Sequence, residues 1–97
     1  MSGRELLRKR LVFLGRVQGV GFRWRARAAA HNAGATGWVR NNYDGSVTME
    51  LQGTEAQIDR VIQLLDRGRY IQILRMQARS LPPVPEERGF VTKDDRW

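Results

Sequence analysis

Ninety-seven residues, 41% of them hydrophobic, suffice for one core and one domain spanning residues 1–97, and a chain this short places any site in a loop or shallow cleft suited to a small ligand. The absence of cysteine excludes disulfides, thiolate nucleophiles and cysteine-ligated zinc. Seventeen Lys and Arg against ten Asp and Glu give a net charge of +7, which attracts phosphate compounds, nucleic acid or anionic lipid without choosing among them and is equally explained as a solvated basic surface.

The first ten residues carry charge at Arg4, Glu5, Arg8, Lys9 and Arg10, and the apolar run at 11–14 is too short for a signal peptide or a membrane span. A soluble, cytoplasmic protein with no membrane partner is expected. Residues 10–17 read as a strand with Leu11 and Phe13 on one side and Val12 and Leu14 on the other. Gln18, Gly19, Val20 and Gly21 signal a turn, after which Phe22, Ala26, Ala29, Ala30 and Ala33 recur at helical spacing until Gly34 stops the helix. Residues 36–42 form a second strand. Asp44-Gly45 then turns the chain into a third, where Val47, Met49 and Leu51 alternate with polar residues. The alternate set, Glu50 and Gln52 included, is expected to face solvent.

Thr54 with Gln57 forms a capping box for a helix that carries Ile58, Val61, Ile62 and Leu65 before Gly68. Residues 71–78 make a fourth strand whose alternation changes phase near Ile73, as a bulge would cause, and Pro82, Pro83 and Pro85 prevent its continuation. Residues 89–92 are a short last strand, and residues 93–97 a tail in which Trp97 docks or frays. The order β, α, β, β, α, β, plus the extra short strand, predicts an α+β ferredoxin-like sandwich: an antiparallel sheet with two helices on one face.

The stretch most informative about chemistry is GRVQGVGFR at 15–23. Glycines between a strand and a helix let successive backbone N–H groups converge, and the helix N-terminus adds donors and partial positive charge. Arg23, in the first helical turn, is disfavoured there by ~0.3–1 kcal/mol, which an anion reverses; its planar guanidinium grips two phosphate oxygens at once. A purely structural turn is the competing reading. The spacing matches neither a Walker loop nor a dinucleotide fingerprint.

GRVQGVGFR at 15–23, GWVRN at 37–41 and DGSV at 44–47 together resemble the acylphosphatase signature, a likeness that spans roughly residues 10–92. The resemblance implies a metal-independent enzyme with no cofactor that cleaves the carboxyl–phosphate anhydride of small acyl phosphates by direct attack of water. It assigns catalysis to Arg23, which holds the phosphate, and Asn41, which positions the water. The phosphate cradle falls on Gln18, Gly19, Val20, Gly21, Phe22 and Arg23, mainly through their backbone. Inorganic phosphate is the implied product and inhibitor, and a monomer is expected.

The remaining polar residues read more simply. His31 is late in the first helix and reads as surface structure, Asp44 as a hairpin former, Arg40 as a screened surface charge, and Arg16 as a basic neighbour of the loop. Trp24 and Trp38 flank the motif residues as packing groups or cleft walls. The alternative is a basic ferredoxin-like nucleic-acid-binding module without activity, but residues 47–52 lack the aromatic residues such modules stack bases on, so nucleic acid is not an expected partner. The same region also resembles the front domain of larger hydrogenase maturation proteins that handle carbamoyl phosphate.

Overall fold

The structure, a computed structural model, describes residues 5–93. Alternation along the strands gives the sheet one apolar face, on which Leu11, Phe13, Val39, Val47, Met49 and Leu51 are all wholly buried. The elements are β1 (Leu7–Arg16), α1 (Phe22–Ala33), β2 (Thr36–Asn41), β3 (Val47–Gly53), α2 (Glu55–Asp66), β4 (Gln72–Leu81) and β5 (Phe90–Thr92). Helix α1 covers the apolar face with Phe22, Ala26, Ala29 and Ala30, and α2 with Ile58, Val61 and Leu65. The alanines of α1 allow its close approach. Thr54 and Gln57 form the expected reciprocal capping box at the start of α2, and Gly34 closes α1 in a left-handed conformation. No helix among the described residues is long and apolar enough to cross a membrane.

The strand order is β4-β1-β3-β2-β5, a ferredoxin-like sheet with an added edge strand. β1, β2, β3 and β4 pair antiparallel, whereas β5 lies parallel to β2, so the expectation of an antiparallel sheet needs correction at that edge. The reason is where the chain returns. Leu81 at the end of β4, Arg8, Gln52 and Thr36 at the start of β2 form one row across the sheet. Residues 82–89 follow that row to the far edge, so β5 enters at the end where β2 begins and runs in the same direction.

The phase change near Ile73 is a bulge. Leu14 pairs with Arg75 and Gly15 with Ile73, leaving Leu74 as the extra residue. Gly15 has φ 132°, and a Cβ there would lie 2.2 Å from the Gln72 carbonyl oxygen, so only glycine fits the strand's exit toward the loop.

Glu50 and Gln52 are not freely solvated, because Arg8 bonds Glu50 and the returning segment covers Gln52. Gln52 is buried; its Nε2 donates to the Val84 carbonyl at 2.9 Å, and its Oε1 accepts from the Val84 N–H at 2.7 Å. Arg8, 4% exposed, donates to Glu50 at 3.0 Å, Gln52 at 3.1 Å and Glu87 at 2.8 Å, and Thr36 also donates to Glu87. A buried guanidinium is costly unless its donors are paired. Here one arginine ties β1, β3 and the returning segment together.

Burial alone would push the Glu87 carboxyl up, but hydrogen bonds from Arg8 and Thr36 and the charge of Arg8 outweigh it and hold it below the usual carboxylate range. A depressed folded pKa contributes stability that is complete above the unfolded carboxylate range and is lost as pH falls through the folded value. Glu87→Gln is therefore expected to lower stability at neutral pH by about 1–3 kcal/mol, and its difference from wild type is expected to shrink in acid. Urea unfolding curves at several pH values measure both.

Candidate active site

The loop after β1 is held at both ends by apolar residues. Val17 is wholly buried, and Phe22, the first residue of α1, packs its ring against Phe13 with centroids 5.0 Å apart. Between them Gly19 and Gly21 take φ 71° and 77°, left-handed conformations that few other residues adopt. Gly21 is the N-cap of α1, with no side-chain cap and no acidic residue in the first turn. Helix α2, by contrast, has its capping box and Glu55. The start of α1 thus keeps the positive end of its dipole, and because Phe22 is fixed inward, Arg23 follows at the mouth of the loop.

Asn41 is the last residue of β2, opposite Val47. Two residues beyond Val39, it shares that residue's face of the sheet, the face that α1 covers. Its side-chain oxygen is buried. Val17, Gly19, Gly21, Phe22, Arg23, Trp24 and Asn41 line one cleft of about 190 Å³. The two residues singled out as catalytic, from motifs separated by a whole helix, therefore meet at one small opening. A wider depression of about 290 Å³ across α1 and α2 contains neither the glycine loop nor Asn41.

Gln18 and Val20, expected in the cradle, do not turn their side chains into this cleft. Val20 packs against the core. Gln18 Nε2 donates to the carbonyls of Asn42, at 2.6 Å, and Ser46, at 2.8 Å. These two bonds strap the loop to the β2–β3 connection beside Asn41. Sequence reasoning missed this role. The turn that receives the strap is bonded within itself: Asn42 Nδ2 donates to Ser46 Oγ at 2.9 Å and to Thr48 Oγ1 at 2.7 Å.

The other candidates lie apart from the cleft. Asp44 accepts from the Ser46 N–H at 2.9 Å, and its bonds from the Ser46 hydroxyl and N–H hold its carboxyl low, the signature of a turn former rather than a proton donor. His31 is exposed on α1. Arg16 is exposed and outside the cleft lining. Arg40 and Trp38 lie on the opposite sheet face, where Arg40, Arg10 and Lys93 stand 5.3, 6.0 and 4.3 Å from the Trp38 ring centre. Of the two tryptophans, Trp24 borders the site. Trp97 lies outside the described residues.

The acylphosphatase family model matches residues 9–92. The chain belongs to the acylphosphatase family. It is 37% identical over 84 residues to an acylphosphatase of Geobacillus thermodenitrificans, covering 86% of this chain and 89% of that one. The crystal structure of acylphosphatase from Bacillus subtilis superposes with a TM-score of 0.83 at 26% identity, covering 91% of this chain and 99% of the other. Full-length HypF, solved in a phosphate- and nucleotide-bound form, matches with a TM-score of 0.83 and 26% identity over 95% of this chain but 12% of its own. These likenesses support an acylphosphatase enzyme over the nucleic-acid-binding alternative.

Each bond of the Gln18 strap contributes about 0.5–1.5 kcal/mol. Gln18→Ala is expected to lower stability by about 1–2 kcal/mol in urea unfolding. It is also expected to reduce acyl phosphate turnover by about tenfold in fully folded protein, because the loop loses its register against Asn41.

Proposed function

We propose that the chain hydrolyses small acyl phosphates in the cleft between residues 18–23 and Asn41, with Arg23 and Asn41 as the catalytic residues. The observation that carries this reading is the convergence of Arg23, the glycine-started helix and Asn41 on one opening. Backbone N–H groups of Gln18, Gly19, Val20, Gly21, Phe22 and Arg23 supply the phosphate cradle, and the Arg23 guanidinium adds a bidentate grip. The helix N-terminus contributes charge stabilisation that strengthens in a small, partly desolvated site.

The substrate is a mixed anhydride whose leaving group is a carboxylate, so its departure requires no general acid. The Asn41 amide orients a water toward phosphorus. A phosphorus–oxygen bond to that water forms as the phosphorus–oxygen bond to the acyl group breaks, and the water's proton passes to a phosphate oxygen. In this scheme the protein supplies position and fixed charge, and neither a metal nor a covalent phosphoenzyme enters. The products are a carboxylate and inorganic phosphate, and phosphate competes for the same cradle. We place the enzyme in the cytoplasm as a monomer, with its small substrate and phosphate as partners and no nucleic acid.

The test is hydrolysis of benzoyl phosphate by the purified protein in the presence of a chelator, beside Arg23→Ala and Asn41→Ala, with circular dichroism to verify folding. Wild type is expected to turn over without metal, each variant to lose at least about 100-fold, as for removal of a charge-stabilising or positioning group, and phosphate to inhibit competitively. Folded but inactive wild type, or an Arg23→Ala protein of normal activity, would contradict the assignment.

A further inference from the structure

Phosphate recognition accounts for only one half of the substrate. Of the apolar residues that line the cleft, Val17 and Phe22 are 0% and 2% exposed and belong to the core, while Trp24 is 75% exposed. The glycines carry no side chain, and Arg23 and Asn41 are polar. Among the described residues that line the cleft, the apolar surface open to an acyl group reaching out from a phosphate held in the loop is therefore the indole of Trp24.

The direction of departure favours the same contact. Attacking and leaving oxygens stand in line across phosphorus, so with water on the β2 side at Asn41 the carboxylate leaves away from β2. Trp24 stands on α1, one residue after Arg23. Beyond it the surface opens into the depression of about 290 Å³ that Trp24 also borders, with Ala28, Ala29 and Leu64 in its lining. This leaves room for a bulky group against the ring.

We propose that Trp24 is a specificity-determining residue that binds the acyl group, so that the enzyme prefers acyl phosphates with flat, apolar acyl groups over those with short aliphatic ones. The inference rests on the hydrolase function proposed above. Offset or edge contact between aromatic rings gives about two- to tenfold in binding, which sets the size of the effect.

The test measures kcat and KM for benzoyl phosphate and acetyl phosphate with wild type, Trp24→Ala and Trp24→Phe, with the inhibition constant of inorganic phosphate measured for each. The expected result is that Trp24→Ala lowers the benzoyl-to-acetyl ratio of kcat/KM about three- to tenfold, mainly by raising KM for benzoyl phosphate. Trp24→Phe is expected to keep most of the ratio, and phosphate inhibition to stay within about twofold in all three, since phosphate does not reach the ring. An unchanged ratio in Trp24→Ala, with both substrates turned over, would overturn the role of Trp24 and leave the hydrolase intact. Wild type that hydrolyses neither substrate would overturn both.

Discussion

Positive potential concentrated at the start of α1 is the feature on which the proposed site depends. A helix that begins at glycine, with no capping side chain and no acid in its first turn, and that carries Arg23 there, accumulates charge at a cost to its own stability. A bound phosphate reverses the sign of that cost. The neighbouring structure serves to hold this charged end in one place: Phe22 packed on Phe13, Val17 in the core, the Gly15 bulge at the exit of β1 and the Gln18 strap to the next hairpin. Rigidity matters more than chemical power, because an acyl phosphate is already activated and needs orientation and charge stabilisation above all.

The two faces of the sheet divide the work. On the helix side lie the apolar core and, at the end of β2, Asn41. The other side carries the Arg8 cluster under the returning segment, together with Trp38 and the cations around it. Strand alternation sends Val39 and Asn41 to the first and Trp38 and Arg40 to the second. Four consecutive residues of one motif thus serve different functions.

Local patterns were the legible part of this protein. Helical spacing identified both helices, Thr54 and Gln57 marked a cap, and the phase change at Ile73 marked the bulge, because each depends on residues close in sequence. The two motifs indicated the family, and their residues Arg23 and Asn41 line one cleft. The parallel pairing of β5 was not legible, since three residues carry little pattern and their partner is set by where residues 82–89 cross. That path depends on bonds from Arg8 to Glu87 and from Gln52 to Val84, which join residues far apart in sequence. For the same reason Glu50 and Gln52 read as solvated: alternation tells which face a residue occupies, not what lies over that face. Gln18 shows the equivalent gap at the site, where its amide is engaged by carbonyls 24 and 28 residues away.

The most direct measurement of the central claim is a titration of isotope-labelled protein with inorganic phosphate, followed by amide and side-chain NMR shifts. Binding in the cradle predicts saturable shifts of the backbone amides of residues 18–24 and of the Arg23 and Asn41 side-chain groups, with competitive inhibition at the same concentrations. Shifts confined to the opposite face, around Arg10, Arg40 and Lys93, with residues 18–24 unmoved, would contradict it.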